Sequence, residues 1–226
     1  MKKKMTLLLT SLLLFVSSFT GCNQLSSADT FPVRITALKG PTAMGMVQMI
    51  DASAENGYKF SLAASADEVT PKLIQGEIDI AAVPANLASV LYNNTEGAVQ
   101  VLAINTLGVL YLAENGDSVQ SVSDLKGRTI FASGKGSTPE YALNYILTEN
   151  GIDPETDVCI EWKSEHSECV AGILSQKGSI AMLPQPFLTT ASMKNENIHS
   201  VLDLTEQWNL IQKSSQTPCA MITGVA

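Results

Sequence analysis

Apolar and polar positions change period repeatedly along the chain, and the changes fall in a regular order. Short apolar runs at 33–38, 58–64, 78–83, 99–104, 107–113, 128–133, 158–162, 179–183 and 219–225 have the length of strands. Between them apolar residues recur at helical spacing over 43–55, 67–75, 85–93, 138–149, 166–176 and 186–194. Pro139 stands near a helix start, where a missing N–H costs nothing. Gly57 and Gly151 follow helical stretches, as C′ glycines do. Strands alternating with helices in this way predict βαβ units and parallel sheets.

The pattern is also duplicated. Ile80-Ala81-Ala82-Val83-Pro84 recurs as Ile180-Ala181-Met182-Leu183-Pro184, and Lys39-Gly40-Pro41-Thr42 as Lys135-Gly136-Ser137-Thr138. Each member follows an equivalent run, and the two pairs keep their order at offsets of nearly one hundred residues. A repeated β-loop-α-β-α-β-loop-α unit implies two lobes, each a small, mostly parallel sheet flanked by helices. The expected division places 32–106 with 215–226 in the first lobe and 107–214 in the second.

The first residues follow another logic. Lys2, Lys3 and Lys4 precede an apolar run from Leu7 to Val16, the layout of a signal peptide. The run is shorter than the roughly 20 residues a membrane-spanning helix needs. It ends in Phe19-Thr20-Gly21-Cys22, which resembles a bacterial lipobox, in which the cysteine is diacylated and becomes the mature N-terminus. Residues 1–21 are therefore expected to be a lipoprotein signal and Cys22 the lipid attachment site. The polar, serine-rich stretch 22–31 suits a flexible tether. Cleavage would remove three lysines from the 14 basic side chains, leaving 11 against 22 acidic ones, a net charge of −11.

Composition narrows the partners. The chain has 226 residues, of which 45% are hydrophobic and 16% charged, with 15 Gly, 9 Pro and 4 Cys. That excludes a disordered chain, a collagen-like chain and a disulfide scaffold. The acidic balance argues against nucleic acid, whose phosphates need a basic face.

Ligands of parallel α/β sheets sit at the carboxyl ends of the strands, where the repeated loops lie. Lys39, Gly40, Pro41, Thr42, Ala43 and Met44 form one candidate loop; Ser133, Lys135, Gly136, Ser137 and Thr138 form its counterpart. Pro84, Ala85 and Asn86 pair with Gln185 and Pro186 as the second loops. Small residues let a ligand approach the backbone, and free N–H groups at helix starts attract negative charge. The alternative is that these are ordinary strand-to-helix turns with N-cap residues. Lys39 and Lys135 bias the site toward an anion, while Asp67, Glu68, Glu140 and Glu165 suit a cationic or amine-bearing heterocycle.

Gly76 to Pro84 (GEIDIAAVP), Ser121 to Leu143 (SVSDLKGRTIFASGKGSTPEYAL) and Leu183 to Phe187 (LPQPF), with the lipobox and the duplication, resemble the type 2 periplasmic-binding-protein fold. The similarity is greatest to substrate-binding proteins of ABC importers of the nitrate, sulfonate, taurine and thiamine-precursor group. It implies a monomeric, lipid-anchored receptor outside the cytoplasmic membrane. Such a receptor captures a small solute by lobe closure and passes it to an ABC permease, without cofactor or catalysis. In that family helices after the returning strand complete the first lobe, so the resemblance implies a first lobe incomplete at Ala226.

Other chemistries fit less well. Gly134-Lys135-Gly136-Ser137 lacks P-loop spacing, and neither a G-x-S-x-G elbow nor H-E-x-x-H occurs. An enzyme on the same fold would need a titratable pair in the cleft, for which Glu140 and Glu165 are the candidates. A sensory module would need a fused signalling domain. His166 is expected to be a solvated residue at a helix start, with the cleft as the alternative. Cys159 and Cys169 are expected either to pair or to be small apolar residues, and Met44, Met46 and Met49 to fill core.

Overall fold

The computed structural model describes residues 32–213 and 220–226. The expected signal segment, tether, Cys22 and Cys219 lie outside them. Within the unit Val33–Ala226 are two five-stranded sheets of the same topology. The first contains β1 (Val33–Leu38), β2 (Tyr58–Ala63), β3 (Ile80–Pro84), β4 (Ile104–Leu107) and β10 (Ile222–Val225), in the order β2-β1-β3-β10-β4. The second contains β5 (Leu110–Asn115), β6 (Thr129–Ser133), β7 (Cys159–Lys163), β8 (Ile180–Pro184) and β9 (Ile198–Asp203), in the order β7-β6-β8-β5-β9.

In each sheet three strands pair in parallel, and the fourth place is taken by an antiparallel strand: β10 in the first, β5 in the second. The repeat is visible in register. Ile35 faces Ile80 in the first sheet, and Ile130 faces Ile180 in the second.

The helices are α1 (Pro41–Met44), α2 (Val47–Asp51), α3 (Ser53–Asn56), α4 (Ala66–Ile74), α5 (Ala85–Asn94), α6 (Thr138–Glu149), α7 (His166–Leu174), α8 (Phe187–Lys194) and α9 (Leu204–Gln212). Both faces of each sheet carry core, as parallel strands require. On the second sheet, Leu112, Ile130, Ile180 and Met182 pack with Leu143, Ile146 and Leu147 of α6. On its other face, Ala113, Ala181 and Leu183 pack with Ile173 of α7 and Ala191 of α8. In the first sheet, Ile35, Ala37 and Ala82 meet Met46, while Ala63, Ala81 and Val83 meet Val69 of α4. That lobe leaves Leu62, Leu102, Ile104 and Leu107 exposed.

The pattern misplaced several elements. The helix expected over 43–55 is broken into α1, α2 and α3. A Cβ on Gly45 would lie 2.6 Å from the Asn105 carbonyl oxygen, so the chain bends where β4 passes close to glycine. The strand expected at 99–104 begins instead at Ile104, and Leu107 still belongs to the first sheet, so the crossing to the second lobe falls at Gly108 and Val109.

Strand β9 and helix α9 escaped the pattern because β9 carries a bulge. Leu112 faces Leu202 and Ala113 faces Ser200, leaving Val201 as an extra residue. Ile198 and Leu202, four apart, therefore pack into opposite faces of the sheet, which destroys the period of two. Helix α9 then starts at Asp203, whose carboxylate accepts from the amides of Thr205 (2.7 Å) and Glu206 (3.3 Å).

Candidate functional site

The carboxyl ends of the parallel strands in both lobes open on one cleft of about 170 Å³. From the first lobe, β1 delivers Lys39, Pro41 and Thr42; β2 delivers Ser65; β3 ends in Pro84. The second lobe answers with Ser133 and Ser137 around β6, Glu165 and His166 after β7, and Pro184 at the end of β8. Thr106, Val109 and Thr223 from the crossing strands form the floor.

Most of these hydroxyls are already tied to the protein. Thr42 donates to the Leu38 carbonyl (3.1 Å), Ser137 to the Gly134 carbonyl (2.6 Å) and Thr223 to the Gly108 carbonyl (2.9 Å). Each therefore turns lone pairs rather than its proton toward other partners. Ser133 Oγ lies 2.6 Å from His166 Nδ1, and the His166 ring lies 4.9 Å from Phe187. Burial pushes the His166 imidazole down to about 4, against a weaker opposing pull from Glu165. At neutral pH the ring is uncharged. Lys39 and Glu165 are then the two charged side chains among the lining residues, one from each lobe.

Of the residues expected from sequence, Lys39, Pro41, Thr42, Pro84, Ser133 and Ser137 line this cleft. The others stand elsewhere. Gly40 adopts φ 118, and a Cβ there would lie 3.3 Å from the Phe187 ring. Ala43 is in the core, Ala85 packs beside it, and Met44 is exposed. Lys135 borders a separate groove with Glu140, Asn144 and Trp162, so the two lysines do not face one ligand. Gln185 Oε1 accepts from Thr189 Oγ1 (2.7 Å), and Pro186 follows a cis peptide bond.

The amides expected to be free on the second-lobe loop are occupied. Gly136 N–H donates to Glu140 Oε2 (2.5 Å), Ser137 N–H to the Gly134 carbonyl (3.1 Å) and Thr138 N–H to Asn86 Oδ1 (3.0 Å). Gly136 faces open space, whereas a Cβ on Gly134 would lie 2.9 Å from Ser137 Oγ, so Gly134 is the closely packed glycine.

His166 lines the cleft, contrary to its expected place in solvent. Glu165, named from sequence as a candidate cleft carboxylate, lines the cleft, whereas Glu140 does not; Ser65 was missed. Ser65 and Glu165 stand at the same 100-residue offset as the β3 and β8 repeats, and carrying that offset from the loop after β7 to the loop after β2 would have found Ser65. Cys159 is exposed and Cys169 buried, and the two are unpaired; burial pushes the Cys169 thiol up to about 11. Among the described residues no cluster of three His, Cys, Asp or Glu could hold a metal ion, and no helix is long and apolar enough to cross a membrane.

Known proteins share this architecture. An ABC transporter protein from Parabacteroides distasonis is similar at a TM-score of 0.64 and 21% identity, over 86% of this chain and 65% of that one. The aliphatic sulphonate binding protein of Escherichia coli gives 0.58 and 16%, over 86% and 64%. The alkanesulfonate-binding protein of Xanthomonas axonopodis, bound to MOPS, gives 0.55 and 17%, over 76% and 60%. The chain thus spans somewhat less than two thirds of the length of each. At these identities the likeness establishes the fold. No curated protein sequence matches the chain. Residues 47–223, however, match the family described as ABC transporter, phosphonate, periplasmic substrate-binding protein. With most of its length covered by that match, the chain belongs to the periplasmic substrate-binding proteins of ABC transporters.

Proposed function

We propose that this protein is the extracytoplasmic solute-binding component of an ABC importer, anchored to the membrane by lipid on Cys22. It takes up a small solute between its lobes and presents the closed form to a permease, breaking no bond. The carrying observation is the cleft itself: strand ends from two copies of one unit meet around a single small space. A ligand held there touches both lobes only when they are closed, so binding shifts the equilibrium toward closure.

At about 170 Å³ the space is smaller than a typical drug-sized pocket and suits a compact solute. The family name points to phosphonates, and the sulfonate-binding neighbours to a related oxyanion. Lys39 supports an anionic group, and Glu165 opposes a second full negative charge. The residues favour a solute with low net charge, an oxyanion head or a heterocycle.

Thermal unfolding with inorganic phosphate, methylphosphonate, ethanesulfonate, nitrate and a pyrimidine added in turn tests this. A solute at 100 times its Kd should stabilise the protein by about 2.7 kcal/mol. No shift with any of them would remove the oxyanion and heterocycle readings. Retention of Cys22→Ala in the membrane fraction, without labelled palmitate on the wild type, would remove the anchor.

A further inference from the structure

Asn86 was expected to face the ligand, and it instead spans the lobes. It is the second residue of α5 in the first lobe, yet all its side-chain hydrogen bonds end on the second. Its Oδ1 accepts from Thr138 N–H at 3.0 Å and from Thr138 Oγ1 at 3.3 Å; its Nδ2 donates to the Gly136 carbonyl at 3.0 Å. Thr138 opens α6, whose first amides lack partners within the helix. Ser137, at the N-cap position, does not cap it, because its hydroxyl donates to Gly134. The α6 start is therefore capped from the opposite lobe. Beside this bridge, Gly40 of the first lobe packs against Phe187 of the second.

We propose that Asn86 is the latch of the closed form, a positioning residue that holds the lobes together by capping α6 across the cleft and so sets solute affinity without touching the solute. Opening exchanges its three bonds for water. Each bond has a small net worth, but all belong to the closed state alone, so their whole difference enters the open–closed equilibrium. Removing them lowers the closed population and the apparent affinity by the same factor, about tenfold, for every solute the cleft accepts. The effect on affinity rests on the solute-binding reading above; the effect on closure does not.

The two are measured separately on the full chain. Small-angle scattering and amide hydrogen exchange are recorded without added solute for wild type, Asn86→Ala and Asn86→Ser, the last keeping a hydroxyl too short to reach across. The latch predicts a larger radius of gyration and faster exchange at Thr138 in both variants, with an unchanged unfolding midpoint for the second-lobe core. Thr138→Ala, which deletes only the 3.3 Å bond and keeps the amide, should change both far less. Unchanged dimensions and Thr138 protection in Asn86→Ala, or a wild-type Thr138 amide that already exchanges freely, would overturn the proposal. Titration with methylphosphonate or ethanesulfonate then reads affinity. Expanded variants beside a wild type that binds neither probe would uphold the latch and count against the oxyanion reading alone.

Discussion

The buried His166 should make the fold lose stability as pH falls from 6.5 toward 4, and the size of the loss follows from the surroundings of the ring. The imidazole is packed between Ser133 and Phe187, and burial holds it near 4, against 6.5 for an unburied histidine. Above pH 6.5 the ring is neutral in folded and unfolded chains alike. As pH falls below 6.5 the unfolded chain takes up a proton that the folded chain refuses until about 4. Stability is therefore fully present above 6.5 and lost as pH falls toward 4. At about 1.4 kcal/mol per pH unit between those values, the loss approaches 3 kcal/mol. Urea unfolding at pH 7.5, 6.0 and 4.5 measures it. His166→Asn, which places an amide near the Nδ1 position, should be flat over that window. The depressed carboxylates, Asp79 held at about 2 by the Arg34 guanidinium and backbone amide and Glu114 held down by its hydrogen bonds, lose stabilisation only near and below the bottom of this window, and that share is common to wild type and His166→Asn. A wild type as stable at pH 4.5 as at 7.5, or an equal fall in His166→Asn, would refute the reasoning.

Other substitutions give separate checks. Burial pushes the Glu114 carboxyl up, but hydrogen bonds from Ser118, the Val119 amide and Arg128 outweigh it and leave it below the usual range. Glu114→Gln should cost about 2–3 kcal/mol at pH 7 by urea unfolding, a penalty that shrinks as pH falls below the ordinary glutamate range; a neutral effect at pH 7 contradicts the network. Gly134→Ala should destabilise by about 2–3 kcal/mol and Gly136→Ala by only about 1, since both have positive φ but only Gly134 is crowded; the reverse ranking would show the loop misassigned. Val109 holds φ 78 at the crossing between lobes, a costly conformation for a β-branched residue. Val109→Asn should raise stability by about 1 kcal/mol, and a clear loss in thermal unfolding would argue against that geometry.

Much of the fold was legible because its signals are local. Strand length, helical spacing and the duplication all lie within short windows, and the two Ile-Ala-x-x-Pro runs mark equivalent strands directly. What was lost depended on distant partners. Gly45 breaks a helix because Asn105 passes beside it, and Val201 spoils the alternation of β9 because Leu112 and Ala113 set the register from another strand. The site divided in the same way. Loops at strand ends could be named from the repeat, which is why Lys39, Pro41, Thr42, Pro84, Ser133 and Ser137 could be placed beside the cleft they border. Whether a loop amide is free depends on its partner. Thr138 is taken by Asn86 from the other lobe, which no sequence spacing reveals, while Gly136 is taken locally by Glu140, four residues on. His166 looked solvated because four polar residues flank it in sequence, Ser164, Glu165, Ser167 and Glu168, while its burial comes from Phe187 on another helix.

The claim that the two lobes share one solute in this cleft is tested most directly by blocking it. Ser65 lines the space from the first lobe, is only half-buried and makes no side-chain bond that the fold needs. Ser65→Trp would fill much of a volume of about 170 Å³. Calorimetric titration with whichever oxyanion or heterocycle most raises the unfolding temperature should show one solute per wild-type chain and none for folded Ser65→Trp. Equal affinity in the two proteins would place the solute elsewhere and contradict the account.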